Sequence, residues 1–241
     1  MRKLTQQEIQ QYQQDGYIQV DDVFPVDELA EIDAEISRLR EEKAARETDA
    51  HGTTSVDMKK NFMLRLGLRS PLTKAMCEDP RILALVEDVV QPGVAIYSAK
   101  MVEKPPFDEA ICHWHQDDAY YRQNSDSDTR MSIWMPLQDT SEDMACLWVV
   151  PGSHKHGLQN FANMKTGICN LAFKDGTETI EGAVPCPVPA GSIILFHALT
   201  WHRSLANRTA HNRRSFIVSY QDALAVRGNK DQHKILVPAR I

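Results

Sequence analysis

Apolar residues in the first ninety positions recur at helical spacing. A capping-box pattern, Thr5 followed by Glu8, begins one predicted helix, and Gly16 ends it. A second helix is predicted from about Asp27, because apolar residues lie three or four positions apart along it. Those positions are Leu29, Ile32, Ile36 and Leu39. A third helical segment, ILALVEDVV, follows Pro80.

The pattern changes at about Gly93. Short runs of β-branched and aromatic residues follow, separated by Pro, Gly, Asn and Asp; they include VAIYSAKMV, MSIWMPL, CLWVVPG, SIILFHALT and SFIVSYQ. Such spacing predicts an antiparallel sandwich or jelly roll. We therefore predict one α+β domain over 1–241, with a mainly helical part at 1–90, a jelly-roll core at 93–222 and a tail at 223–241. The polar stretch 47–60 is interpreted as a loop.

Composition excludes several classes of function. The chain has 241 residues, a net charge of -6 and no basic stripe, which argues against nucleic-acid binding. No stretch reaches the ~18 apolar residues of a membrane span, and the first residues do not resemble a signal peptide. None of the five cysteines forms a CxxC pair, so we expect free thiols and a cytoplasmic protein. The cysteines are Cys77, Cys112, Cys146, Cys169 and Cys186.

The segment CHWHQDDAYY contains the first candidate metal ligands. If it is extended, alternate side chains share a face, so His115 and Asp117 point the same way. A third ligand is needed from a distant strand, and His202 in FHALTWHRS is the candidate. Two histidines and one carboxylate leave three positions of an octahedron open, which suits Fe(II) and oxygen chemistry. An HxD pair alone occurs by chance in many chains.

Four ordered motifs carry a more specific resemblance. They are the opening segment LTQQEIQQYQQDGYIQVDDVFPVDELA, the HxD segment HWHQDDAYY, the turn LWVVPGSHKHG and the segment AGSIILFHALTWHRSLANRTAHNRRSFIVSYQ. From about Leu4 to Tyr220 the chain resembles the phytanoyl-CoA dioxygenase family of Fe(II)- and 2-oxoglutarate-dependent oxygenases. The resemblance implies a double-stranded β-helix (jelly-roll) core with amino-terminal helices packed on it. It also implies that His115, Asp117 and His202 bind the iron.

The resemblance assigns further residues to the cosubstrate. Arg213 lies eleven residues after His202, where the family binds the distal carboxylate of 2-oxoglutarate; a planar guanidinium suits that carboxylate. Ser204 would hydrogen-bond the same group, and Trp134 would line its pocket. Arg214 is the rival to Arg213, because adjacent residues of a strand face opposite ways.

The expected reaction consumes 2-oxoglutarate and O2, releases succinate and CO2, and hydroxylates an unactivated C–H bond of a small molecule, such as a biosynthetic intermediate. In similar enzymes a retained carboxylate at the position of Asp117 favours hydroxylation over halogenation. Four residues are candidates for substrate contact: Lys104, Met101, Tyr120 and Tyr121. The sequence leaves the substrate and the oligomeric state open.

Two other functions would account for part of this pattern. A cupin-like metalloenzyme would use His113, His115 and a later histidine without 2-oxoglutarate, but it would leave Arg213 without a role. A non-catalytic binding module with an oxygenase-like fold would be favoured by a missing ligand, and none is missing. The chain departs from the family pattern at Arg203, where Gly is common, and at Met144-Ala145, where Asn-Gly is common.

Overall fold

The computed structural model describes residues 1–49, 58–59, 61–122, 125–174, 178–227 and 233–240. Its helices are α1 (Gln6–Asp15), α2 (Val26–Asp49), α3 (Pro71–Cys77), α4 (Pro80–Val86) and α5 (Asp118–Tyr121). Its strands are β1 (Tyr17–Val20), β2 (Met58–Lys59), β3 (Phe62–Leu64), β4 (Val94–Lys104), β5 (Cys112–His115), β6 (Met131–Pro136), β7 (Leu147–Val149), β8 (Phe161–Asn163), β9 (Leu171–Phe173), β10 (Val184–Cys186), β11 (Ile193–His197), β12 (His202–Ser204), β13 (Arg213–Gln221) and β14 (Ile235–Val237).

Most of these strands form two antiparallel sheets. The larger sheet has eight strands in the order β1-β11-β6-β13-β4-β3-β2, and β14 pairs with β4. The smaller sheet has the order β10-β7-β12-β5, and β8 pairs with β9 as a separate ribbon. The protein is therefore α+β with antiparallel sheets, as the alternation of apolar and polar positions predicted.

Buried apolar side chains lie on both faces of the larger sheet. One face, which includes Met101 of β4 and Phe216 of β13, packs against the helices. Ile32 of α2 belongs to the same apolar cluster. The other face packs towards the smaller sheet and includes Val102 and Ile217. Consecutive residues of β4 and β13 therefore face opposite ways, as the pleat of a strand requires. This alternation decides which side chains reach the space between the sheets.

The predicted helix boundaries hold in part. Thr5 and Glu8 form the capping box of α1, and Gly16 ends that helix at a φ of 79°. A side chain at Gly16 would place its Cβ 2.4 Å from Nδ1 of His154, so space as well as conformation requires glycine there. The predicted loop at 47–60 is wrong at its start, because α2 continues to Asp49; positions 50–57 and 60 lie outside the described residues.

Strands also occur outside the predicted core. β1 and β3 belong to the larger sheet although they lie in the part predicted to be mainly helical. β14 lies in the predicted tail and pairs with β4. These segments are too short for their apolar pattern to identify them, because two or three alternating positions fit a loop equally well. The division at 90, 93 and 222 stays a prediction.

The expectation of five free thiols is wrong for two cysteines. Cys112 and Cys169 are joined by a disulfide, whereas Cys77, Cys146 and Cys186 are free and buried. Spacing could not identify this pair, because 57 residues separate the two cysteines and only the fold brings them together. The cytoplasmic location stays a prediction. In the part of the chain that the structure describes, no helix has the length and apolar content that crossing a membrane would require.

Candidate metal centre

His115, Asp117 and His202 meet at one end of the smaller sheet. One ligand atom of each residue lies within 4.8 Å of the others. His115 ends β5, His202 begins β12, and the two residues are register partners in this sheet. Their ring centroids lie 4.1 Å apart. All three side chains are buried, so the group is an enclosed set of two imidazoles and one carboxylate.

Asp117 reaches this group from a helical turn, not from an extended strand. β5 ends at His115, and Asp117 has φ -60° and ψ -33° at the start of α5. The amide of Asp118 donates to the carbonyl of Ala198 at 3.0 Å, which holds the turn against the loop before β12. The premise that residues 115 and 117 share a strand face was therefore wrong, although the two side chains do converge.

Hydrogen bonds orient each member of the group. The Nδ1 atoms of His115 and His202 each lie 2.9 Å from a backbone carbonyl, of His113 and Thr200 respectively. An N–H at Nδ1 donates to that carbonyl and leaves the lone pair at Nε2 for a metal. Asp117 accepts a hydrogen bond at Oδ2 from the hydroxyl of Ser132 at 2.7 Å. Its Oδ1 lies 4.0 Å from Nε2 of His202.

The protonation states match what a cation requires. Burial, followed by the neighbouring His202, lowers the pKa of His115 to about 3. Burial also lowers the pKa of His202, so both rings are neutral near pH 7. Burial alone would raise the pKa of Asp117, but its surroundings, first of all the Lys100 ammonium and also the hydrogen bond from Ser132, outweigh burial and lower that pKa. Neutral imidazoles and an ionised carboxylate fit a divalent transition metal.

A second group of possible ligands lies beside the first. Cys112, His115 and Cys169 also bring three donor atoms together. The disulfide between the two cysteines removes their thiolates, which are the forms that bind metal. His113, which a cupin-like site would use together with His115 and a later histidine, belongs to neither group among the described residues.

His115, Asp117 and His202, called the metal group from here on, lie in the wall of a small cavity. The predicted cosubstrate residues lie in the same wall. Arg213, Ser204 and Trp134 line this small cavity together with His115, Asp117 and His202. The Arg213 guanidinium lies 5.8 Å from the centre of the Trp134 ring, and its Nη1 donates to the Ser215 hydroxyl at 2.9 Å. Arg213 is only 1% exposed, and its Nε has no hydrogen-bond partner among the described residues. A buried cation of this kind calls for an anion.

The neighbouring Arg214 faces the opposite side of the sheet and forms ion pairs and a hydrogen bond there. Its guanidinium lies 3.1 Å from Oε1 of Glu103 and 3.0 Å from Oδ1 of Asp33 on α2. It also donates to the hydroxyl of Ser37 at 2.7 Å. Arg214 therefore joins α2 to the larger sheet, whereas Arg213 lines the small cavity.

Two of the four predicted substrate residues lie away from the cavities. Lys104 donates from Nζ to the carbonyls of Ala110 at 2.9 Å and Ser204 at 3.2 Å, and also to that of Leu205. Burial and the adjacent Arg213 lower the pKa of Lys104 to about 6. Met101 lies on the helix-facing side of β4 and packs in the core. Neither side chain lines the small cavity or the large one described next.

A large cavity of about 640 Å³ adjoins the small one. Tyr120 and Tyr121 line it, as predicted for substrate contact. Five residues line both cavities and form the junction between them: Phe62, Lys100, His115, Ile168 and Cys169. Sequence reasoning missed Lys100. A signal existed, since Lys100 precedes Lys104 by four positions on a continuous strand and so faces the same side.

A model of the family described as phytanoyl-CoA dioxygenase (PhyH) matches residues 12–215. The chain belongs to the phytanoyl-CoA dioxygenase family. Among curated relatives, a probable alpha-ketoglutarate-dependent hypophosphite dioxygenase of Stutzerimonas stutzeri is 24% identical and aligns over 88% of this chain and 77% of its own length. An ectoine dioxygenase of Bordetella bronchiseptica is also 24% identical, over 90% of this chain and 75% of its own.

Solved structures share the fold of this family member. The apo form of ThoJ, a non-haem monooxygenase, superposes with a TM-score of 0.78 at 18% identity, covering 97% of this chain and 84% of ThoJ. EctD from S. alaskensis in its apo form gives 0.72 at 20% identity, covering 98% of this chain and 86% of EctD. At such identities the superposition establishes the fold and no more.

The family departure at Arg203 has a structural explanation. Its guanidinium lies 4.7 Å from the Trp114 ring centre and 5.2 Å from that of Trp148. Arg203 also lines the small cavity, so this side chain adds a cation at the cavity wall where other family members often have glycine.

Proposed function

We propose that this phytanoyl-CoA dioxygenase family member is an Fe(II)- and 2-oxoglutarate-dependent dioxygenase that hydroxylates a C–H bond of a small molecule. One observation carries the proposal above all. A buried set of two imidazoles and one carboxylate lines the same cavity as Arg213, which has no carboxylate within ion-pair distance among the described residues. A metal site beside an anion site is what an iron-bound keto acid requires.

The candidate ligands and the polar residues beside them then have distinct roles. His115, Asp117 and His202 hold the iron, and Ser132 keeps the Asp117 carboxylate oriented through its hydrogen bond at Oδ2. Arg213 binds the distal carboxylate of 2-oxoglutarate through its forked N–H groups, with the Ser204 hydroxyl as a second donor. Trp134 forms the apolar wall beside them.

Iron together with 2-oxoglutarate and O2 supplies the oxidising chemistry, with succinate and CO2 as products. The chain itself positions the reactants and excludes water. Tyr120 and Tyr121 close one side of the large cavity, and Phe62 and Ile168 narrow its junction with the small one. A retained Asp117 keeps the third protein ligand in place and favours hydroxylation.

The same proposal extends to the fold and the substrate. The larger and smaller sheets would be the two walls of a double-stranded β-helix, and 1–241 would form one oxygenase domain. The relatives named for hypophosphite and ectoine support a small-molecule substrate, and the cavity of about 640 Å³ has the size of a typical small-molecule site.

Succinate release from the purified protein tests the proposal. With Fe(II), 2-oxoglutarate and O2, even turnover without a primary substrate should convert 2-oxoglutarate into succinate, and a chelator should stop it. 2-Oxoglutarate should also bind much more tightly to the Fe(II)-loaded protein than to the metal-free protein. Binding without any succinate would favour a non-catalytic module. If the protein binds metal but the metal does not strengthen the binding of 2-oxoglutarate, the cupin-like alternative is favoured.

A further inference from the structure

Lys100 lies at the junction of the two cavities and has no role in the reaction described so far. It extends from β4 on the face that lines the space between the sheets. Its Nζ is 3.5 Å from Oδ1 of Asp117 and 3.3 Å from the hydroxyl of Tyr121. Because Lys100 lines both cavities, its ammonium lies within reach of a ligand that extends from the large cavity towards the metal group.

The contacts of Lys100 leave donor capacity unused. An ammonium has three N–H donors. Among the described residues, one hydrogen bond to Tyr121 and one ion pair with Asp117 account for its polar contacts. The side chain is 20% exposed, so it is mostly removed from water. A partly buried cation with an unused donor is a binding group for an anion.

Metal loading changes the balance of charge at this point. Asp117 is the carboxylate nearest to Lys100, and it is also a proposed metal ligand. A bound dication neutralises the negative charge of the Asp117 carboxylate, because a bound metal is the largest local charge in its site. The Lys100 ammonium is then no longer fully neutralised by the protein. A negative group on the substrate would restore the balance.

The described residues that line the large cavity include more cations than acids. Of the described residues that line it, four are cations and one is an acid: Arg65, Lys74, Lys100, Lys234 and Glu78. Glu78 already pairs with Lys74 at 2.5 Å and with Lys234 at 2.6 Å. The chain as a whole carries a net charge of -6, so this positive lining is a local feature. Such a cavity attracts anions and raises their local concentration.

The lining of the large cavity also has an apolar part. Leu64, Leu68, Ile96 and Ala99 belong to it, and the polar side chains of Asn61, Ser98 and Asn170 lie elsewhere on the same walls. Together with Phe62 and Ile168 at the junction, the apolar side chains suit a hydrocarbon body.

We propose that the primary substrate is a small organic carboxylate with an apolar body, and that Lys100 binds its carboxylate at the junction. This inference rests on the proposed dioxygenase function and adds the chemical class of its substrate. It assigns separate anion sites to the two substrates: Arg213 for the distal carboxylate of 2-oxoglutarate, and Lys100 for the carboxylate of the molecule that is oxidised.

Matched pairs of ligands test the assignment by calorimetry, without turnover. The probes are octanoate with octanamide and 3-phenylpropionate with 3-phenylpropanamide, titrated into the anaerobic protein loaded with Fe(II) and 2-oxoglutarate. Each pair keeps the body and removes the charge. We expect the carboxylate of at least one pair to bind with a Kd at least tenfold lower than its amide. Lys100→Met should reduce that ratio to less than threefold, and Lys100→Arg should retain part of it.

Lys155→Met is the matched control, because it removes the same charge from an exposed position that lines neither cavity. It should keep the full carboxylate preference. The proposal is overturned if the wild-type protein binds none of the four probes, if it prefers no carboxylate, or if Lys100→Met keeps the preference.

The Kd of 2-oxoglutarate separates this proposal from the dioxygenase function. In Lys100→Met it should stay within threefold of the wild-type value; a large increase would make Lys100 a cosubstrate residue and overturn the assignment. If the wild-type protein does not bind 2-oxoglutarate with Fe(II), the proposed function fails. The carboxylate preference is then measured on the metal-free protein, where it should persist in weaker form because Asp117 pairs with Lys100. Its absence there would overturn the substrate assignment as well.

Discussion

The two adjoining cavities are built from different kinds of structure. The small cavity takes its polar residues from strands of the two sheets and from the turn after β5. The large cavity is lined mainly by peripheral segments: β3, the 3-10 turn Leu66–Leu68, α3 and the loop before β9. Core packing sets the register of the sheets, whereas peripheral segments can vary without disturbing it. The residues proposed for the chemistry thus lie on the two sheets and the turn after β5, whereas much of the lining proposed for substrate selectivity lies on peripheral segments.

The largest effect should follow from removing a ligand of the metal group. Asp117→Ala deletes the only carboxylate of the three, so iron binding and succinate release should fall at least about a hundredfold. Metal content and succinate formation measure the loss. His113→Ala is the control, because His113 lies two residues before His115 but outside the group. Equal losses in both variants would contradict the assignment and support the cupin-like site.

The two adjacent arginines should separate binding from stability. Arg213→Ala removes charge-assisted hydrogen bonds to 2-oxoglutarate, each of which contributes about 1.5–3 kcal/mol, so the KM for 2-oxoglutarate should rise roughly 10- to 100-fold. Initial rates of succinate formation at varied 2-oxoglutarate give that KM. Arg214→Ala should leave the KM nearly unchanged and lower the free energy of unfolding, because it breaks the contacts with Glu103 and Asp33. The reverse pattern would move the anchor to Arg214.

The Cys112–Cys169 disulfide should stabilise the region where the two cavities meet. Cys169 lies at the junction, and the bond closes a loop across 57 residues. Reduction should lower the free energy of unfolding by about 2–4 kcal/mol. Thiol titration of the denatured protein should find three free cysteines before reduction and five after it. Five thiols in the unreduced protein would show that the bond does not form.

Two glycines with positive φ offer a smaller and more local comparison. Gly167 lines the large cavity, and a Cβ there would lie 2.5 Å from the carbonyl oxygen of Ile111. Gly182 has a similar φ but nothing within 4 Å of such a Cβ. Gly182→Ala should cost about 1 kcal/mol of backbone strain, and Gly167→Ala should cost more because the backbone must also shift. Denaturant unfolding measures both, and equal costs would show that the loop before β9 can move.

The spacing of motifs predicted much of the chemistry but not its local geometry. The metal group was identified from His115, Asp117 and His202, although the premise of an extended strand through Asp117 was wrong. Lys104 and Met101 were candidates for substrate contact, yet one donates to backbone carbonyls and the other packs in the core. Single positions on a strand cannot reveal which face meets a cavity until the strand has its neighbours.

The sequence by itself determined the antiparallel α+β class and, through its motifs, the residues proposed for the metal and anion sites, because these depend on patterns along the chain. Only the tertiary structure decided that Lys100 stands beside Asp117, that Cys112 meets Cys169, and that Arg213 rather than Arg214 lines the small cavity. These facts depend on contacts between residues far apart in the chain. Such contacts are set by sheet register and packing, which no local pattern encodes.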